Sequence, residues 1–176
     1  MSPTWLFAQF FGLISLVILA ISFHKKKKSD LLALQTVSNL SSGIQYFLLG
    51  ALSGGFIHLI CVARNFVFRK YKKKIPPLAV YLTLLSILVV TALSFDGLTS
   101  LLPMFSISLY TYALAFGDLR KIRIIDIVAC FIAIIYNLLV GAYVGIIVSV
   151  VEIISAGTAL LRFDLTKSSK RARIRK

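Results

Sequence analysis

Long apolar runs dominate this chain, separated by short bursts of positive charge. The runs cover residues 5–23, 31–49, 52–68, 76–94, 99–116, 124–140 and 142–161. A helix needs about 20 residues to cross the hydrocarbon core of a bilayer, so the pattern predicts seven transmembrane helices. The second run is the least apolar, because it carries Gln35, Ser38, Asn39, Ser42 and Gln45. Gly50 and Gly141 mark tight turns before the third and seventh helices. Pro76 and Pro77 suit the start of the fourth, where a missing backbone N–H costs nothing.

The polar residues inside these runs are not scattered. Steps of three or four place Gln35, Ser38, Ser42 and Gln45 on one face of the second helix, with Asn39 and Tyr46 beside them. His58, Cys61 and Asn65 share a face of the third, flanked by Arg64. Asp126, Cys130, Ala133 and Asn137 do so in the sixth, and Ser149, Glu152 and Ser155 in the seventh. Serines and amides in membrane helices often serve helix–helix adhesion. Asn39, Gln45 and Asn137 need several partners each, which a hydrated cavity supplies. Glu152 differs in kind, since a carboxylate mid-membrane costs several kcal/mol, roughly 2.5–3.5 for Asp on insertion scales. It is protonated, paired with Arg64 or His58, or part of a proton or substrate path. The candidate solute-binding set is therefore Gln35, Asn39, Gln45, His58, Arg64, Asn65, Asn137 and Glu152.

Composition agrees with a lipid environment. Of 176 residues, 59% are hydrophobic and 15% charged, against roughly 25% charged in soluble domains, and mean hydropathy is +0.91. The chain reads as an all-α membrane protein with no room for a separate soluble domain. A net charge of +14 on a soluble surface would indicate nucleic acid. Here the basic residues fall at residues 24–30, 69–75, 117–123 and 162–176, which together hold 19 of the 20 Lys and Arg. Lys and Arg mark the cytoplasmic side, so the expected topology has the N-terminus outside and the C-terminus inside, with no nucleic-acid partner. The first run has no charge ahead of it and four lysines after it, which reads as an uncleaved first helix. The outer segments carry only Asp96, and Arg64 lies close enough to a helix end to snorkel inward. The basic inner face would meet anionic lipid headgroups; homo-oligomerisation is left open. Cys61 and Cys130 both sit in apolar runs and read as small packing residues.

Two blocks of matching residues point to an internal duplication. Ile14, Ser15, Leu16, Ala20 and Phe23 match Ile107, Ser108, Leu109, Ala113 and Phe116; Leu48, Gly50, Ala51 and Gly54 match Leu139, Gly141, Ala142 and Gly145. The two offsets differ by two residues. Seven helices with duplicated halves arrange as 3+1+3, because a single linker helix restores the orientation of the second triplet. The expected units are a first bundle at 1–70, a linker helix at 71–97, a second bundle at 98–162 and a basic tail at 163–176.

No catalytic set, metal-ligand spacing, phosphate loop or cofactor motif emerges, so no enzyme is expected. Trp5-Leu6-x-Ala8-Gln9-x-x-Gly12, Gln35, Phe47-Leu48-Leu49-Gly50, Arg64, Asn137-x-x-x-Gly141-x-x-x-Gly145 and Arg162-Phe163 resemble the bacterial inner-membrane YgjV family. That family is itself similar to the SWEET and PQ-loop group of two parallel three-helix bundles joined by a linker. The resemblance implies a bacterial plasma-membrane protein with a solute path between bundles, and it names no substrate. Gln9 lacks the preceding proline of the Pro-Gln pair, and Pro103 has no counterpart in the first helix. Alternating access is thus less directly implied. The sequence favours a small-solute carrier with Gln35, Asn39 and Gln45 on one side of a cavity and Asn137 and Glu152 on the other. The alternative is a receptor or accessory subunit that recognises a ligand or partner without transport, docking through the tail.

Overall fold

The structure, a computed structural model, describes residues 2–25, 27–71, 75–95, 97–115 and 118–165. Among them are seven α-helices and no strand: α1 (Pro3–Phe23), α2 (Lys28–Leu48), α3 (Leu52–Arg69), α4 (Pro77–Leu93), α5 (Leu101–Ala115), α6 (Leu119–Leu139) and α7 (Tyr143–Ala159). A 3-10 turn, Leu98–Ser100, leads into α5, and a π-helical stretch, Leu160–Leu165, continues α7. Four stretches are long and apolar enough to cross a membrane: Pro3–Ser22, Leu98–Ala115, Leu119–Leu139 and Tyr143–Arg162. α4 is a shorter apolar helix. α2 and α3 are less apolar because the faces they bury carry Gln35, Ser38, Ser41 and Gln45, and Ser53, Arg64 and Asn65. Lys26, Lys72, Lys73, Lys74, Asp96 and the tail at 167–176 lie outside the described residues.

Local chemistry sets the helix ends. Ser2 accepts a hydrogen bond from the Trp5 N–H at 3.3 Å, with Pro3 next to it, and starts α1. Asp118 accepts from the Arg120 N–H at 3.0 Å and starts α6 ahead of its apolar run. Arg120, Lys121 and Arg123 therefore lie in the first turns of α6, where the hydropathy pattern leaves a connection. α2 and α6 end alike. The Ala51 N–H donates to Tyr46 O and the Ala142 N–H to Asn137 O, each at 2.9 Å. This closure needs the left-handed conformation that glycine tolerates, and Gly50 (φ 75) and Gly141 (φ 70) supply it.

The helices pack in a closed order. α1 lies on α2 and α2 on α3; α5 lies on α6 and α6 on α7; α1 meets α7, and α3 meets α5. α4 packs on α3 and α5 and turns Leu78, Tyr81, Leu82, Leu85, Leu88 and Leu93 outward. The outside of α1 is equally apolar, with Leu6, Phe7, Phe10, Leu13 and Val17 exposed. Polar groups go inward, among them Gln35, Gln45, Arg64, Asn65, Asp126 and Asn137, all buried. Apolar outside and polar inside is the arrangement of a bundle solvated by lipid.

Local features also recur 91 residues apart, the separation of Tyr46 and Asn137. α2 and α6 each have 21 residues and occupy equivalent positions at that offset. Ser15 Oγ bonds Ser38 Oγ at 2.8 Å, and Ser106 Oγ donates to Ala129 O at 2.9 Å, each pair 23 residues apart. The hydrogen bonding thus equates Ser15 with Ser106, two residues away from the Ser108 that the residue match selects. Apolar residues match at many registers, whereas a buried hydroxyl matches only where it finds its partner.

Candidate functional site

The polar faces meet around a cavity of about 110 Å³. A water needs roughly 10–15 Å³ on this measure, so the space takes several waters or a small solute. Its lining comes from α1, α2, α3, α5, α6 and α7, with nothing from α4. Gln35, Asn39, Gln45, His58, Arg64, Asn137 and Glu152 all face it. Asn65 does not: it is fully buried behind Arg64, whose guanidinium it holds.

One wall consists of amides and rings. The Asn39 amide donates to Gln35 O at 2.7 Å, which turns its oxygen to His58 Nδ1 at 2.9 Å. His58 stacks on Tyr46 at 5.1 Å between centroids. Tyr46 Oη donates to Asn137 Oδ1 at 2.6 Å, a bond that joins α2 to α6 across the bundle. Gln35 and Tyr110 bond reciprocally, at 2.8 Å from Nε2 to Oη and 3.0 Å from Oη to Oε1. Ser15 holds both Ser38 and Ser42, the latter at 2.7 Å. The bonds between α2 and its neighbours fix the side chains against the cavity instead of leaving them to rotate.

Arg64 is the positive pole. Its Nε and one terminal nitrogen donate to Asn65 Oδ1 at 3.0 and 2.9 Å, and the other donates to Thr111 Oγ1 at 2.8 Å. The guanidinium also sits 5.4 Å from the Tyr110 ring centroid, in cation–π range. All these partners are neutral, so no contact ion pair with Glu152 forms. His58 likewise bonds Asn39 and not the carboxylate. The positive charge is held in place but not cancelled.

The same cavity is lined by Asp126 and Cys130 on α6 and Glu152 on α7, whose ligand atoms all lie within 4.8 Å of one another. Asp126 is 3% exposed, and its Oδ2 has no hydrogen-bond partner. Two ionised carboxylates at that range repel by about 3–4 kcal/mol at an effective dielectric of roughly 20. A proton or a cation between them removes the conflict.

Several lining residues escape the candidate set drawn from the sequence. Tyr110 and Ser106 are four residues apart on one face of α5, a usable signal diluted by the other hydroxyls of that helix. Tyr46 reads as a flanking residue, Cys130 as packing, and Asp126 as part of a stripe without a role. Gln9, part of the short N-terminal motif, does structural work: its Oε1 accepts the free N–H of Val144 at 3.1 Å in the first turn of α7.

No curated protein and no solved structure matches the chain. The model of a family described as bacterial inner membrane protein, Imp-YgjV, matches residues 6–167. With nearly the whole chain covered, through every helix around the cavity, this protein belongs to the Imp-YgjV family of bacterial inner membrane proteins.

Proposed function

We propose that the protein is a carrier or facilitator for a small polar solute across the bacterial inner membrane. In this reading it is built as two parallel three-helix bundles, α1–α3 and α5–α7, joined by α4, with its N-terminus outside and its C-terminus in the cytoplasm. The observation that carries the proposal is a polar cavity enclosed by helices of both triplets inside a bundle whose outer surface is apolar. Here Gln45 Nε2 and Asp126 Oδ2 are buried at the cavity without partners, an arrangement that leaves a donor and an acceptor for a solute. The packing order supports the paired-bundle reading, since exchange of the triplets carries the α1–α7 contact onto the α3–α5 contact, the former much the more extensive. The basic segments support the orientation through the positive-inside bias and would rest against anionic headgroups.

The test is thermal stability of the purified protein in detergent against a panel of sugars, nucleosides, vitamins and amino acids. A ligand at about 100 times its dissociation constant adds roughly 2.7 kcal/mol to the native state. The expected result is a saturable rise with one compound class that disappears in Asn39→Ala and Asn137→Ala. Full binding in both variants would remove the cavity assignment. No shift across the panel, from folded protein, would favour a receptor or accessory subunit that recognises a partner instead.

A further inference from the structure

The acidic corner of the cavity has a donor set that solute adhesion does not require. Asp126 and Cys130 are four residues apart on α6 and so project from one face, while Glu152 reaches them from α7. A pair of ligands at i and i+4 on one helix, completed by a third from elsewhere, is a recurrent way for helices to hold a transition metal. The three ligand atoms lie within 4.8 Å of one another, so small side-chain rotations close them around one ion. Independently, Asp126 Oδ2 is buried without any hydrogen-bond partner, and a buried carboxylate oxygen seldom goes unpaired.

The equivalent corner of the other triplet shows that the fold does not need these groups. At the 91-residue offset that relates Tyr46 to Asn137, Asp126, Cys130 and Glu152 correspond to Gln35, Asn39 and Cys61. Neutral residues build the same helix faces there, with Gln35 and Asn39 occupied by internal hydrogen bonds. The carboxylates are therefore additions to one half. Charge is balanced as well. Two carboxylates and a thiolate around a divalent ion sum to one negative charge, and Arg64, lining the same cavity with neutral partners only, supplies one positive charge.

We propose that Asp126, Cys130 and Glu152 bind a divalent transition-metal ion of the zinc class, with the fourth coordination position open to the cavity. The thiolate selects against magnesium and calcium, which prefer oxygen alone. On binding, the Cys130 S–H bond is replaced by an S–metal bond and the proton leaves through the cavity, so affinity falls at lower pH. The site shares the cavity and Asp126 with the solute-carrier reading, but the two fail separately, because metal binding is measured without transport and the solute panel can be run in chelator.

The probe is Co2+ added to the purified full chain in detergent, followed by Zn2+. The expected result is a thiolate-to-cobalt charge-transfer band with visible absorption of a tetrahedral ion, bleached by Zn2+, present in Cys61→Ser and absent in Cys130→Ser. Asp126→Asn and Glu152→Gln should each weaken binding by more than the roughly 10–100-fold that loss of a supporting group costs. In unmodified protein, Zn2+ should protect Cys130 from alkylation mapped by mass spectrometry, and Mg2+ should not, a readout that needs no variant to fold. Absence of the band in wild-type protein, its persistence in Cys130→Ser, or equal protection by Mg2+ would each overturn the proposal.

Discussion

Gly145→Ala probes how tightly the cavity wall is built. A Cβ at Gly145 would stand 2.8 Å from both Cγ and Oδ1 of Asn137, closer than real Cβ atoms come to other heavy atoms. The Asn137 amide cannot yield freely, because Tyr46 Oη holds it at 2.6 Å. Overpacking costs about 1–3 kcal/mol, and losing the Tyr46 bond adds about 0.5–1.5 kcal/mol. Replacing a helical glycine with alanine returns about 0.5–1 kcal/mol. The net is a loss near 2 kcal/mol, or about 4–8 °C in Tm for a chain of this size. In an Asn137→Ala background the obstacle is gone while the helix gain remains, so Gly145→Ala should raise Tm there by roughly 1–4 °C. The assay is thermal unfolding of wild type, both single variants and the double variant in one detergent. Equal destabilisation by Gly145→Ala in both backgrounds would refute the reasoning, since Asn137 would then not be what the glycine accommodates.

Three further outcomes follow from particular contacts. Tyr46→Phe leaves Asn137 Oδ1 without its donor and should cost about 1–3 kcal/mol, measured as Tm, with little further effect in Asn137→Ala. Thr111→Val removes the acceptor of one Arg64 terminal nitrogen; bonds to charged groups contribute about 1.5–3 kcal/mol, so Tm should fall by roughly 3–12 °C. Lys28, at a helix end outside the apolar run, donates to Leu114 O at 3.0 Å, and burial lowers its pKa from the usual 10.5. The unfolded chain therefore holds this proton more tightly than the folded one, and the contribution to stability grows as pH rises toward 10.5. The Tm difference between wild type and Lys28→Met should shift in favour of wild type over that rise, and a flat difference would remove the assignment.

How far the fold could be read from the sequence depended on the kind of signal. Seven helices and the turns at Gly50 and Gly141 were legible because long apolar runs broken by charge and glycine delimit the segments and because helix closure needs glycine at positive φ. The start of α6 was not, since Asp118 caps a helix that begins well before its apolar stretch. The stripe Gln35, Ser38, Ser42 and Gln45 identified a cavity face directly from periodicity. Asn65, on the helix face predicted for binding, instead orients Arg64, because adjacent residues on one helix can meet through a long side chain that bends back. Tyr110 was hidden for the opposite reason: α5 carries Ser106, Ser108, Tyr110, Thr111 and Tyr112 around its circumference, and only packing selects which of them face inward. Residue matching pairs Ser15 with Ser108, whereas the hydrogen bonds of Ser15 and Ser106 lie 91 residues apart, a likeness that apolar matching alone does not pick out.

The central claim is that the cavity is a solute path, and Cys130 offers direct access to it. Cys130 lines the cavity, while Cys61 is buried and absent from its lining. In membrane vesicles carrying the Cys61→Ser variant and kept in metal chelator, a small hydrophilic thiol reagent should label Cys130 when applied from either side, with denatured protein as the full-labelling control. Labelling from one side alone would fit a receptor pocket. Protection from both sides, with full labelling after denaturation, would contradict a water-filled path through this bundle.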